Sequence, residues 1–448
     1  MVMLSRHALL PDATSNSNAS LLPVTNPTRV LLFDHTATLG GGELALLALV
    51  RNLDRARYMP VVLLCAEGPL NTLLREAGVE THILPLTKSV LHTHKEMLTG
   101  SSLLRLKDGV RMLAYIRCLV RFIKFLNISL VHTNSLKADV IGGIAARMAG
   151  KPVLWHIRDR IDTDYLPRPA VILFRWLCRT IPHYVVANSQ ATLETLRLGA
   201  NKPHEVVYSG IEMQEYSACD VSVVQASPIA TEELDSKPAK RRRIGLIGRI
   251  SPWKGQHIFL TAAAQVRDCF PDVSFQIIGT PLHGEEAYEE SLHALVSTLE
   301  LQDCVEFLGF RRDIPALLAE MDILVHASTT GEPFGQVVVQ GMAAGKPVIA
   351  TNGGGIPEIV AHGETGLLVP MASVTALKEA MENLLSHPAE AKQMGQRGRK
   401  RVSQQFTILQ TVRKVTAVYD TLLAKPAYVS KALPEFIIAP AVSDEATT

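Results

Sequence analysis

The sequence predicts an α/β protein made of two doubly wound parallel sheets that face each other across a cleft. Three observations carry this. The chain has 448 residues, too many for one hydrophobic core, so two domains of roughly 200 residues are expected. Short apolar runs alternate with helical patterns, the signature of buried parallel strands joined by crossover helices. The alternation breaks once, over 217–240, where Ser, Pro, Ala and Asp dominate, and then restarts.

In chain order, residues 1–28 are polar and rich in Pro, Ser and Asn and are expected to form a disordered tail. RVLLFD (29–34) reads as the first strand, TLGGGE (38–43) as a glycine-rich turn and ELALLALVRNL as the helix after it. Strand patterns follow at 60–65, 81–86, 129–134, 152–157 and 183–188, completing a first domain over 29–205. Residues 206–242 read as a linker carrying the polar insertion. The second domain, 243–405, takes its strands from 242–250, 273–279, 304–309, 322–327 and 346–351. A helix over 406–424 and a loose tail over 425–448 end the chain. In such paired open sheets ligands bind outside the carboxyl ends of the strands, so residues there are the candidates for function.

Composition narrows the classes. Hydrophobic residues make up 47% and charged residues 20%, with a net charge of +2, which suits a globular protein with large cores and predicts no nucleic-acid partner. The six cysteines, Cys65, Cys118, Cys178, Cys219, Cys269 and Cys304, are scattered. That points to a reducing compartment and away from a zinc site. The start lacks a signal-peptide pattern, and no run of about 18 uncharged apolar residues occurs. A cytoplasmic location is therefore expected.

Four constellations stand at strand ends. Gly40, Gly41, Gly42 and Glu43 form a turn through which backbone can approach an anionic ligand; a tight turn with Glu43 favouring the helix dipole is the plainer alternative. GRISPWKG (248–255) brackets a Ser-Pro-Trp turn with Arg249 and Lys254, which can aim a guanidinium fork and an ammonium at one diphosphate; two solvated cations is the alternative. EPFGQVVVQGMAAGKPVIA (332–350) begins with an acid, becomes apolar and carries the amide Gln340, and GGGIPEIV (353–360) follows it. Finally, His132 and His156 fall near strand ends, as do His82 and His326, so position alone does not separate a functional histidine from a structural one.

The order and spacing of these segments resemble the glycosyltransferases of family 4, with the two-domain, Rossmann-like fold called GT-B. GGGE (40–43), VLWHIRD (153–159), VVANSQAT (185–192), VVYSGIE (206–212), GRISPWKG, EPFGQVVVQGMAAGKPVIAT and GGGIPEIVAHGETGLLV carry the resemblance, over roughly 29–424. It implies that the C-terminal half binds a nucleotide-sugar donor and the N-terminal half a saccharide or lipid-linked acceptor. It also implies transfer with retention of anomeric configuration, without a required metal or other cofactor. By the same resemblance Arg249 and Lys254 would hold the donor diphosphate and Glu332 the sugar. The backbone of Phe334 and Gly335 would lie near its hydroxyls, with Val337 and Val338 near the phosphate and nucleoside and Gln336 also among the donor-binding residues. Residue 340 would hold the ribose, and the backbone of Gly309, Phe310 and Arg311 would read the base. His156 would sit beside the transferred sugar, and Gly41 and Gly42 near the phosphates and acceptor. The helix after 405 would cross back to brace the first domain. Catalysis would then rest on His156, Glu332, Arg249 and Lys254.

One departure stands out: Gln340 replaces the family's usual second glutamate. If the segment after Pro333 is helical, positions 332 and 340 lie on the order of 12 Å apart. Carboxylate pairs of glycosidases stand about 5–9.5 Å apart, so two separate contacts, hexose and ribose, are expected in place of an acid/base pair. A sugar-nucleotide epimerase on the same fold is disfavoured by the EPFG run. A noncatalytic scaffold keeping the fold is favoured only by Gln340. Outside the cleft, 103–126 combines apolar residues with Arg105, Lys107, Arg111, Arg117, Arg121 and Lys124. It reads either as a basic amphipathic helix for an anionic membrane or as a domain helix with a solvated basic face. The run 240–243 is equally open.

Overall fold

The computed structural model describes residues 26–86, 102–219, 241–282 and 284–424, with backbone alone over 102–108 and 218–219. The expected tail over 1–28, apart from its last three residues, the end tail 425–448 and nearly all of the polar insertion lie outside the described residues.

Among the described residues thirteen strands form two sheets. The first contains β1 (Thr28–Asp34), β2 (Tyr58–Leu64), β3 (Glu80–Ile83), β4 (Leu130–Thr133), β5 (Val153–Ile157), β6 (Tyr184–Ala187) and β7 (His204–Val206), in the spatial order 3-2-1-4-5-6-7. The second contains β8 (Arg242–Ile247), β9 (Val273–Ile278), β10 (Val305–Gly309), β11 (Ile323–His326), β12 (Val348–Thr351) and β13 (Leu367–Val369), in the order 10-9-8-11-12-13. Every pairing is parallel. The order reverses beside the first strand of each sheet, which places a topological switch point, and hence a crevice, at the carboxyl end of each. This is the doubly wound pair that the alternation predicts. Two edge strands, β7 and β13, carried no strand prediction. Each has only three residues, too few for periodicity to register.

Both sheets are covered on both faces. In β5, Val153, Trp155 and Ile157 point into one core with Ile116, Leu119 and Ile123, as strand alternation requires. Leu154 points into the opposite core. That second core also contains Val415, Val418, Tyr419 and Leu422 from the last helix, Ile408–Leu423. The chain therefore leaves the second sheet through the helix Pro388–Gln405, breaks at Phe406 and returns to the first sheet. The break is a start signal: Thr407 caps the last helix together with Gln410 in a capping box. The two connections between the domains meet here, where the Gly210 N–H donates to Thr411 Oγ1 at 2.9 Å and Ile211 bridges Thr407.

The helix Ser102–Phe125 is a domain helix: Ile116, Leu119 and Ile123, spaced by three and four, are buried in the first domain's core. Arg117, Arg121 and Lys124 stay exposed. The described part of the run 240–243 is tied down in the second domain. Arg242 donates to the Leu385 carbonyl, and Arg243 pairs with Glu320.

Candidate active site

The C-terminal domain gathers a cluster of charged side chains at its strand ends. After β8 the chain passes Arg249 and makes a tight turn, Pro252–Lys254, before the helix Gln256–Cys269. The turn brings the Trp253 ring against both cations, with Lys254 Nζ 4.1 Å and the Arg249 guanidinium carbon 5.8 Å from its centroid. Arg249 Nε lies 3.4 Å from Glu285 Oε2. Lys254 is bonded directly to Glu332 Oε1. The same oxygen accepts from Ser328 Oγ at 2.8 Å and stands 3.1 Å from His326 Nε2 at the end of β11. Glu332 is 6% exposed. Burial opposes its charge, but the Lys254 ammonium and the hydrogen bond from His326 outweigh that and hold its carboxyl well below the usual range.

Glu332 sits in a loop held from below. Gly354, with φ +61°, approaches so closely that a Cβ there would stand 1.9 Å from the Glu332 carbonyl oxygen, a contact only glycine permits. Gly335, with φ +117°, ends the loop and starts the helix Gln336–Ala343, which no side chain caps. Its first N–H groups are therefore free of the usual side-chain partner. Gln336, Val337 and Gln340 share a partly exposed face, whereas Val338, Val339 and Met342 are buried.

The N-terminal domain answers with a second uncapped helix, Gly41–Asn52, which starts after Gly40. A Cβ on Gly41 would stand 3.9 Å from Gln336 Cβ, so the two helix starts lie in contact where the domains meet. Beside Gly42 lies Arg158, just past β5. Its Nε donates to Asn134 Oδ1 at 2.7 Å and its Nη1 to Ser209 Oγ at 2.8 Å. Asn134 in turn donates to Asp34 Oδ2 at 2.7 Å. Burial pulls the guanidinium down to about 10, which leaves it charged at neutral pH.

The domains touch through the same loop. Ser189 Oγ and Thr192 Oγ1 both donate to the Pro333 carbonyl, and Arg160 Nη1 donates to the Gly331 carbonyl at 3.3 Å. Glu358 reaches across to accept the N–H groups of Gln190 and Ala191 at 2.8 Å each, occupying the start of the helix Gln190–Leu196.

Known proteins resemble this chain in sequence and fold. Residues 231–401 match the family model described as glycosyl transferases group 1, and residues 39–215 match the one described as glycosyltransferase family 4. The chain belongs to the group 1, family 4 glycosyltransferases. Among curated relatives, the spore coat protein SA of Bacillus subtilis is 29% identical over 49% of this chain and 59% of its own. The lipopolysaccharide core biosynthesis mannosyltransferase LpsB of Rhizobium meliloti is 30% identical over 43% and 55%. The chain thus spans a little over half the length of these relatives. The solved structure of Anabaena HepE in complex with UDP-glucose superposes with a TM-score of 0.73 at 27% identity, covering 88% of this chain and 99% of that one.

Within this glycosyltransferase, two expectations need correction. The helix after EPFG starts at Gln336 and not at Pro333, because Gly335 adopts a backbone conformation no helix contains. Glu332 therefore lies in a loop outside the helix. Val338 offers no side chain to a ligand: it is fully buried, and its N–H donates to the Gly335 carbonyl. Gln340 lies on the partly exposed face. Phe310 is exposed beside Gly309, and Arg311 is paired with Asp313. Phe334 stacks on Tyr208, with centroids 5.7 Å apart, which leaves its backbone as the part near Glu332. His156 is fully buried beneath Arg158 and is described below. Arg158, Ser328, Glu285 and the Ser189–Thr192 pair were not singled out from sequence. Arg158 stood in VLWHIRD and Ser189 in VVANSQAT, so the signal lay in motifs already marked. Ser328 and Glu285 had no motif around them.

Proposed function

We propose that the protein is a retaining glycosyltransferase. It moves a sugar from a nucleotide-sugar donor to a saccharide or lipid-linked acceptor in the synthesis of cell-surface polysaccharide or glycolipid. The observation that carries this reading is the meeting of two uncapped helix starts, Gly41–Asn52 and Gln336–Ala343, beside the Lys254–Glu332 pair. Two helix N-termini and two cations favour a diphosphate, and a buried carboxylate beside them suits the hydroxyls of the sugar it carries.

In this reading Arg249 and Lys254 oppose the negative charge that grows on the leaving diphosphate. Each leaves a protein carboxylate, Glu285 or Glu332, to do so or shares it with the ligand. The acceptor proton passes to the leaving oxygen, and no metal is invoked. Gly41 and Gly42 line the phosphate side. The UDP-glucose bound by HepE makes UDP-sugars the first donors to try. The protein works in the cytoplasm at the inner face of the membrane. There the exposed Arg117, Arg121 and Lys124 meet anionic lipid while the apolar side of their helix stays in the core.

The test is nucleotide release from UDP-, GDP- and ADP-sugars with a mixed acceptor pool, after a thermal-shift screen. Donor-dependent release with retained anomeric configuration is expected. Tight nucleotide binding with no release under any pairing would favour the scaffold reading.

A further inference from the structure

Below the cleft floor, three buried side chains form a hydrogen-bonded line. Tyr419, on the last helix, places its Oη 2.6 Å from His132 Nδ1. His132 Nε2 lies 3.1 Å from His156 Nδ1. The two imidazoles lie 20° from coplanar with centroids 5.3 Å apart, so a ring N–H can point along the line between the nitrogens. All three residues are fully buried. Past His156, Arg158 Nη2 stands 3.5 Å from the same Nδ1, and His156 Nε2 is buried with no hydrogen-bond partner among the described residues.

The direction of this line is fixed at both ends. The Tyr419 hydroxyl has no other acceptor in reach among the described residues. If it accepted from His132, its own proton would be buried unpaired, at a desolvation cost. It therefore donates, and His132 Nδ1 is the acceptor. A neutral imidazole carries one proton, so His132 holds it on Nε2 and donates to His156 Nδ1. At the far end Arg158 can only donate, which also requires a lone pair on His156 Nδ1. Reversing the line would set the His156 N–H against the guanidinium N–H. Burial keeps both rings neutral, with His132 pulled down to about 3 and His156 well below its ordinary value.

We propose that Tyr419, acting through His132, holds His156 as the Nε2–H tautomer, so that His156 meets its ligand as a hydrogen-bond donor and not as a base. That His156 borders the transferred sugar is what the family resemblance implies and rests on the function proposed above; the tautomer does not. Tyr419 and His132 are positioning residues. Through them the helix that returns from the second domain reaches the first domain's site, because Tyr419 packs in that domain's core.

The experiment uses the full chain labelled with 15N-histidine, read by two-bond nitrogen–proton correlations, together with donor turnover. In the wild type both rings are expected as Nε2–H tautomers that do not titrate between about pH 6 and 8. Tyr419→Phe keeps the ring and removes the donor. It should let the second tautomer appear and lower kcat roughly tenfold or more, with donor KM little changed. His132→Gln offers an acceptor oxygen and a donor amide in place of the two ring nitrogens and should retain most activity, whereas His132→Leu should not. Packing alone would rank Leu at least equal to Gln. A His156 Nδ1–H in the wild type, or His132→Leu as active as His132→Gln, overturns the proposal. If the tautomers are as stated and His156→Ala keeps its kcat, the tautomer assignment stands and the placement of His156 beside the sugar falls.

Discussion

Replacing Lys254 by Met tests the centre of the site in two independent ways. The ammonium is bonded to Glu332 with side-chain exposures of 18% and 8%, so the substitution strands a carboxylate away from water. Breaking such a pair from one side costs about 3–5 kcal/mol. Ser328 and His326 still donate to the same oxygen, which puts the expected loss near the lower bound, about 3 kcal/mol. Glu332→Gln should cost less, about 1–2 kcal/mol, because Lys254 keeps the Trp253 ring and its long stem can lift the charge toward solvent. The double variant leaves no stranded charge and should cost about 2–3 kcal/mol, a coupling of about 2 kcal/mol. Urea denaturation of all four proteins measures it. Additivity to within about 0.5 kcal/mol would mean that the pair is not formed in solution. Turnover reads the other role. Loss of a preorganised charge opposite a growing oxyanion lowers kcat by about 10²–10³-fold, so folded Lys254→Met with near-normal kcat would remove Lys254 from the diphosphate.

Three further outcomes are expected. Gln340→Glu should bind the nucleotide about 5–30-fold more tightly and Gln340→Leu more weakly than the wild type, since a carboxylate makes charge-assisted bonds to ribose hydroxyls; equal affinities in calorimetric titration would take position 340 away from the ribose. The protein should co-sediment with anionic vesicles at low salt. Reversing Arg117, Arg121 and Lys124 together should abolish this, each exposed cation contributing about 1 kcal/mol; unchanged sedimentation would exclude this face. Stability should fall as pH drops from about 6.5 toward the lowered value of His132, because the unfolded chain takes up protons that the buried rings of His132 and His156 refuse. The slope is about 1.4 kcal/mol per pH unit for each ring, and a flat profile with normally titrating imidazoles would contradict their burial.

The sheets were legible because fully buried parallel strands are continuous apolar runs, and LLFD, VVLLC and QIIG can hardly be anything else. The short β7 and β13 were not, since three residues carry no period. Within the site, legibility followed chemistry that is local in sequence. Arg249 and Lys254 bracket one turn, and Glu332 opens one motif. Of their partners, Glu285 belongs to the loop after β9 and meets Arg249 only through the sheet, while Ser328 stands four residues before Glu332, just outside the motif. His156 shows the opposite limit. Its strand-end position marked it, but strand alternation turns it under Arg158 and toward the last helix, and nothing in VLWHIRD names Tyr419 as a partner.

The Gly331–Gly335 loop bears on how such a site could be switched on. Its carboxylate is fixed by its own domain, through Lys254, Ser328 and His326. Its Gly331 and Pro333 carbonyls are fixed by the other domain, through Arg160, Ser189 and Thr192. These three hydrogen bonds cross between the domains and form only when the domains meet. The same approach brings Gly41 to Gln336 and so assembles the two helix starts. Under the proposed function, the sugar contact and the diphosphate contact are thus assembled in one and the same domain arrangement. A donor bound to the C-terminal domain alone would have its carboxylate but neither the opposing helix start nor a loop held from both sides. Under the proposed function, binding energy from the donor would favour this arrangement of the domains.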